Sequence, residues 1–491
     1  MGMSPLNAPQ PAARRPWHSL PAPFRKWLPP LLFGLVLLLI PPPTGLTPDA
    51  WHFFALFVAV IVALITEPMP GAAIGFMGVA LAAGLRLVGE TPTEALRWAL
   101  SGFASDAVWL IFAANMFALG YESTGLGRRM ALLFVRALGR RTLGLGYAIA
   151  LTDLFLAPFM PSNTARSGGT LYPIVNSIPP LYGSHPGDHP RKIGSYLIWT
   201  AFATTCVTSS MFLTALAPNL LAVDIARRVA HVDITWTMWM LGFLPLGILL
   251  FASTPLLAYF LCPPEIKQGH EVALWAQREL QSMGAITRRE VTMLLLALGA
   301  LTGWIGGGRW LNPVTVALLA ISLMLLTKVV AWPDIVAKKE AWSMLVWFAT
   351  LIALAEGLSA VGFLAWFAQH AASVVTQVPM MVVLAGAIAL FYVIHYLFAS
   401  ITAQTTALMP VFLLALISVP GIPVKPVVLL LCYSLGLMGV ISPYASGPAA
   451  IWYGSGYVAT KDFWRLGAIM GAIYLAVLLA LGIPYALTFM R

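Results

Sequence analysis

Runs of apolar residues close to twenty long recur from one end of this chain to the other, and no other feature restricts its fold as much. LLFGLVLLLI, WHFFALFVAVIVALI, VTMLLLALGALTGW, VTVALLAISLMLL and LGAIMGAIYLAVLLALGI are five of them. About 20 apolar residues in a helix cross about 30 Å of hydrocarbon, so the chain reads as an all-α, polytopic membrane protein. Composition agrees. Charged residues make up only 9% of the 491 positions, where a soluble chain carries about a quarter, and mean hydropathy is +0.85.

The formal net charge of +10 does not point to nucleic acid, because the basic residues gather in short loops, as the positive-inside rule expects. Cys206, Cys262 and Cys432 lie far apart in apolar segments without metal-ligand spacing and read as packing residues. Residues 1–28 form a basic, Pro-rich stretch with no small-residue cleavage site after the next apolar run. That combination predicts a cytoplasmic tail and not a signal peptide.

With the tail inside, hydropathy and Lys/Arg positions predict spans over 29–46, 51–67, 70–88 and 105–124. GRRMALLFVRALGRR, with Arg128, Arg129, Arg136, Arg140 and Arg141, then marks a cytoplasmic amphipathic helix. Further spans are predicted over 194–222, 235–262, 292–308 and 312–330. The first half of the chain is 29–262, a basic cytoplasmic linker covers 263–291, and the second half is 292–491.

Within the first half, PSNTARSGGTLYPI interrupts an apolar region with Ser, Asn, Thr, Arg and two glycines. Basic segments flank the whole region, so its two half-length arms are predicted to leave and re-enter one face as a hairpin with its tip at 161–166. WFATLIALAEGLSAVGF in the second half echoes IFAANMFALGYESTGLG in the first, and a second tip, ASITAQTTALMP, occupies 399–405 and the residues after it. Helix counting opens the first hairpin inward and the second outward. Two similar halves entering from opposite faces are the inverted repeat common among secondary transporters.

Non-helical backbone at membrane depth survives only where protein or a water-filled cavity surrounds it. Hairpin tips leave free N–H and C=O groups, and helix N-termini carry positive partial charge suited to anions. Each tip is followed by a Pro/Gly-interrupted helix: TSSMFLTALAPNLLA with Thr214, Pro218 and Asn219, and a segment over 434–457 containing ISPYASGPAAIWYGSGY with Ser442, Pro443, Ser446 and Gly447. Taken singly, a Ser-Asn-Thr cluster is an inter-helix hydrogen-bond patch and a Pro-Gly segment is a kink. Four such elements alternating across two halves point instead to a transporter site.

Few ionisable residues fall inside spans: Asp106, Glu122, Asp153, Arg166, Glu356 and His395. Asp153 and His395 sit on hairpin arms and read as packing groups. Arg166 follows the first tip directly and stays charged at any physiological pH. With little carboxylate in the candidate site, an anionic substrate is expected to meet that charge.

These motifs resemble the divalent anion/sodium symporter family, in order and over nearly the whole chain. They look most similar to its branch of citrate/succinate, tartrate/succinate and 2-oxoglutarate/malate exchangers. The resemblance implies a homodimer of about eleven helices and two hairpins per protomer, working as an elevator. It also implies that Ser162, Asn163 and Thr164 hold one substrate carboxylate and Ser400 and Thr402 another, with Gln404 and Thr405 as further polar groups of the second tip. In the sodium-coupled branch Na⁺ is the coupling ion; the matching positions here are Thr214, Pro218 and Asn219, and Ser442, Pro443 and Gly447. In the exchanger branch a guanidinium at Arg166 stands in for the first sodium. Exchangers of this kind carry His where this chain has Gln404, which supplies hydrogen bonds but no charge.

The resulting expectation is a secondary transporter that exchanges di- or tricarboxylates across a bacterial inner membrane, with the lipid bilayer as its solvent, no nucleic-acid partner and no cofactor apart from Na⁺ as a coupling ion. A Na⁺-driven dicarboxylate symporter is the alternative. A membrane-embedded enzyme using Asp153 and His395 is remote, since no nucleophile or metal-ligand constellation accompanies them. A channel is disfavoured because two opposed hairpins seal a path.

Overall fold

The computed structural model describes residues 22–306, 311–367, 370 and 379–489, and contains helices but no strand among them. Residues 1–21 of the predicted tail lie outside the described residues. The first half comprises α1 (Ala22–Leu39), α2 (Pro48–Thr66), α3 (Gly71–Gly84), α4 (Pro92–Ser101), α5 (Asp106–Thr124), α6 (Leu126–Leu138), α7 (Thr142–Leu156), α8 (Tyr172–Asn176), α9 (Gly194–Met211), α10 (Ala217–Ala230) and α11 (Trp236–Leu261). After the first half come α12 (His270–Ser282), α13 (Arg288–Gly306), α14 (Pro313–Leu326), α15 (Trp332–Ala337) and α16 (Lys339–Ala360). The remainder is α17 (Met380–Val393), α18 (Ile401–Ile417), α19 (Val424–Leu437), α20 (Gly447–Gly454), α21 (Thr460–Val477) and α22 (Ile483–Phe489).

Local chemistry sets the helix ends. Thr47 accepts from the Ala50 N–H and Pro48 opens the first turn of α2, a position where its missing N–H costs nothing. Thr91 and Glu94 form a reciprocal capping box at α4. α1 ends at Leu39, several residues before the predicted Leu46, because Pro41, Pro42 and Pro43 in succession cannot donate to a helical ladder.

By length and composition, seven continuous helical stretches among the described residues can cross a membrane, or eight if α4 and α5, bent by 41° at Ser105, form one span. Two of the seven correct an expectation. The incoming hairpin arms, 142–159 and 380–397, are each 18 residues long and not half-length, a rise of about 27 Å at about 1.5 Å per residue. Each packs against the helical segment that follows its tip. The predicted linker is also more ordered than a linker: α12 runs through its middle and buries Val272, Ala276 and Leu280.

Large apolar side chains face outward over much of the molecule; α1 alone exposes Leu31, Leu32, Phe33, Leu35 and Leu39. Such a continuous apolar face is stable against acyl chains and a liability in water. One smaller core joins α2, α3 and α4 to the later part of α16 through Phe53, Phe57, Ile74, Trp98, Leu351 and Leu354. Contact there is close. Trp98 Nε1 donates to the Ala353 carbonyl at 3.0 Å, and Gly102 lies so near the Ala349 carbonyl that a side chain would overlap it. The larger core holds the hairpins and broken helices, with Trp199, Trp239 and Trp452 fully enclosed.

Candidate functional site

Each tip is a helix restart. Pro161 interrupts the first hairpin, Ser162 Oγ accepts from the Ala165 N–H at 3.2 Å, and the chain resumes as a wide π-helical segment, Thr164–Leu171. Segments of this type cluster at functional sites. In the second hairpin Ser400 Oγ accepts from the Ala403 N–H at 3.3 Å and opens α18.

The interrupted helices restart in the same way. After α9 the backbone is extended at Phe212 and Leu216, and α10 begins at Ala217 with Pro218 in its first turn. After α19 the chain unwinds until Ser446, whose Oγ accepts from the Ala449 N–H at 3.3 Å, with Pro448 in the first turn of α20.

All four restarts open onto one cavity of about 270 Å³. It is lined by Ser162, Asn163 and Thr164, by Leu216, Ala217 and Pro218, by Ser400, Ile401 and Thr402, and by Ser446 and Gly447. Met344, Trp347 and Phe348 of α16 form the opposing apolar wall. None of the described lining residues carries a charge. The Ala217 N–H donates to the Pro161 carbonyl at 2.8 Å, tying the first tip to the first break. Gly447 approaches Thr164 so closely that a Cβ there would overlap the threonine hydroxyl.

A helix N-terminus presents unpaired N–H groups and the equivalent of about half a positive charge. Four of them around one small cavity, supplemented by hydroxyl and amide donors, make an environment that favours an anion with acceptor oxygens at both ends. A cation or an apolar ligand gains nothing from that field.

Of the residues singled out from the sequence, Ser162, Asn163, Thr164, Ser400, Thr402, Pro218 and Gly447 line this cavity, whereas Arg166, Gln404, Thr405, Thr214, Asn219, Ser442 and Pro443 do not. Thr405 donates back to the Ile401 carbonyl at 2.8 Å within its own helix. Thr214 donates to the Pro158 carbonyl at 2.6 Å and accepts from Trp236. The Asn219 amide nitrogen donates to the Ser209 carbonyl at 2.8 Å, but its oxygen is buried without a partner, as is the Ser442 hydroxyl. Sequence reasoning missed Met344, Trp347 and Phe348, because an apolar residue on a spanning helix gives no sign of which side it faces.

Arg166 requires a correction. It is fully buried and pairs with the equally buried Asp153, Nε to Oδ1, at 3.0 Å. The other four N–H groups reach the Met160 and Ala215 carbonyls, both at 2.8 Å, Thr208 Oγ1 at 3.4 Å and Ser209 Oγ at 3.1 Å. Thr208 donates in turn to the second Asp153 oxygen. A carboxylate therefore already meets the charge expected to await a substrate, and the guanidinium binds the first tip to the first break from behind the cavity wall.

A second polar cluster joins α10 to its neighbours. Asp224 accepts from Arg227 at 2.7 Å and from Arg228 at 2.8 Å. Arg228 continues to Glu356 of α16 at 2.8 Å, and Glu356 accepts from Ser101 of α4 at 2.8 Å.

Three comparisons bear on this arrangement. A profile of the sodium:sulfate symporter transmembrane region matches residues 22–490. The citrate/succinate antiporter of Escherichia coli K12 is 45% identical over 476 residues, 94% of this chain and 97% of that protein. The L-tartrate/succinate antiporter of Escherichia coli O6:K15:H31 is 45% identical over 471 residues, 93% of this chain and 97% of that one. Among solved structures, the Alcanivorax borkumensis YdaH transporter superposes with a TM-score of 0.54 at 17% identity, covering 89% of this chain and 98% of that one; the likeness concerns the fold alone.

Proposed function

The chain belongs to the sodium:sulfate symporter family, the divalent anion/sodium symporters its motifs resemble, and from that premise we propose that it exchanges one di- or tricarboxylate for another across the membrane. It is a multi-pass membrane transporter and not an enzyme. The observation that carries the substrate class is the cavity into which four helix N-termini open with no charged side chain in the wall. Two relatives of 45% identity named as succinate antiporters support it.

In this reading Ser162, Asn163 and Thr164 hold one carboxylate and Ser400 and Thr402 the other. Arg166 and Asp153 keep the first tip and break in register without adding net charge. The reason for obligatory exchange therefore moves from a fixed guanidinium to the backbone. An emptied cavity would leave the positive ends of four helix N-termini without an anion to answer them, at a penalty for crossing. A second anion removes that penalty. The hairpins and broken helices move as one unit past α16 in an elevator motion, within a homodimer in a bacterial inner membrane, with the N-terminus cytoplasmic.

A sodium-coupled variant of the reading has one specific observation in its favour. Asn219 Oδ1 and Ser442 Oγ are buried, unpartnered oxygens beside the two breaks, the kind of hard ligand that suits an alkali cation. When bound there, Na⁺ would supply charge against the substrate dianion.

Counterflow in proteoliposomes separates the two. Labelled succinate entering only when dicarboxylate is trapped inside, in sodium-free buffer, is the expected result. Uptake into empty vesicles driven by a sodium gradient would replace exchange with symport. Competition by malate, citrate, tartrate and sulfate ranks the substrates.

A further inference from the structure

Trp347 of α16 stands where two cavities meet. The cavity at the tips, of about 270 Å³, has a neighbour of about 480 Å³. That neighbour is bounded by the end of α2, the turn at 67–70 and the start of α3. Among the described residues, only Trp347 and Ser400 belong to both walls. Ser400 is committed, because its hydroxyl caps α18 where the second tip turns. The indole of Trp347 is therefore the side chain that closes the space between the two.

Its neighbours fix the ring in that position. Gly71 opens α3 directly against it: a Cβ there would come within 3.0 Å of Cε2 and 3.1 Å of Nε1. The edge that bears Nε1 thus faces α3 and not the tips. Phe348 packs beside the ring with centroids 5.6 Å apart. Nε1 is buried and has no hydrogen-bond partner among the described residues. An unmet buried donor is a cost that a phenylalanine would avoid, so hydrogen bonding does not account for the indole. Its bulk does.

The two cavities differ in what they can hold. The first gathers its anion-binding groups at the tips and the breaks beside them. Its remaining wall is Met344, Trp347 and Phe348, against which a carboxylate would lose hydration and gain no partner. The second is open to solvent, with Glu67, Met69 and Pro70 on its rim exposed. A charged group placed there keeps its water. Glu67 carries the charge of that wall, but solvent screens it.

We propose that Trp347 sets the substrate range: its ring confines the site to an acid with a carboxylate at each end and excludes a third. The inference rests on the carboxylate reading of the cavity and narrows it to short dicarboxylates of the size of succinate. The volume agrees, being below the roughly 300–1,000 Å³ of sites that take drug-sized ligands. A branched tricarboxylate that occupies both tips has one carboxylate left over. With Trp347 in place that group lies against apolar α16. With the ring removed, the cavities join and the same group reaches water past Ser400.

Calorimetry on purified protein compares succinate with citrate at alkaline pH, where both acids are fully ionised, in buffers with and without sodium. Wild type is expected to bind citrate at least about tenfold more weakly than succinate, the lower end of what shape discrimination in a site achieves. Trp347→Ala is expected to erase that difference by binding citrate more tightly. Met344 lines the first cavity and not the second, so Met344→Ala is expected to keep the wild-type ratio. Wild-type protein that binds citrate as well as succinate overturns the proposal without any variant. A ratio in Trp347→Ala equal to that of wild type, or reproduced by Met344→Ala, overturns it too. Should Trp347→Ala fail to fold, Trp347→Leu keeps an apolar side chain against Gly71 while removing the ring, and its ratio decides in the same way. Folded wild type that binds neither acid in either buffer would instead sink the carboxylate reading itself.

Discussion

Asp153→Asn removes the carboxylate that meets Arg166 while keeping nearly the same volume and one acceptor oxygen. Both partners are fully buried and 3.0 Å apart, so solvent cannot step in as the counter-charge. Breaking such a pair from one side costs about 3–5 kcal/mol, because the remaining ion stays buried and uncompensated. The new amide also brings a donor toward Thr208, which now donates to that oxygen. At about 1.4 kcal/mol per decade, the folded-to-unfolded ratio drops at least about a hundredfold. Arg166→Gln does comparable damage, since it leaves the carboxylate alone and frees the Met160 and Ala215 carbonyls.

The double variant Asp153→Asn with Arg166→Gln buries no net charge and is expected to be more stable than either single variant. The assay is unfolding of purified protein in detergent, followed by tryptophan fluorescence against denaturant, with all four members of the cycle compared. Single variants as stable as wild type, or a double variant whose losses simply add, would refute the reasoning that Asp153 is the counter-ion of Arg166. In that event the guanidinium would regain its place as a charge awaiting substrate.

Three further outcomes are expected. Ser162→Ala combined with Thr402→Ala removes two hydroxyls from the cavity; at about 1.5–3 kcal/mol for each hydrogen bond to a charged group, succinate binding by calorimetry weakens at least about a hundredfold while the protein still folds. Gly447→Val places a branched side chain against Thr164, so counterflow is lost even though the variant reaches the membrane in normal amounts. Glu356→Gln weakens the link from Arg228 of α10 to α16, whose partners are 25% and 37% exposed, so stability changes by no more than about 1 kcal/mol; a changed exchange rate at an unchanged melting temperature would mark α10 and α16 as surfaces that slide past each other.

Much of the site could be read along the chain because its signals are local. PSNTAR and ASITAQ each combine a helix stop with a capping serine, and the chain does turn and restart at Ser162 and Ser400. Pro218 and Pro448 fall in first turns, where proline fits best. The arms read less well: hydropathy sees apolar residues, and 18 of them suffice to span or to form a hairpin arm. Arg166 misled for another reason. Its partner Asp153 lies 13 positions earlier on the opposite arm, and no spacing rule joins two residues across a hairpin.

The amino-acid order alone determined that this is a helical membrane protein with two polar tips and two interrupted helices. Those properties follow from what a backbone needs in hydrocarbon, residue by residue. The tertiary structure decided which of the polar groups share a cavity, that α16 closes it, and which buried charge has a partner. Electrostatic energy depends on distance through space and on the solvent excluded between groups, and both are set only when segments far apart in the chain come together.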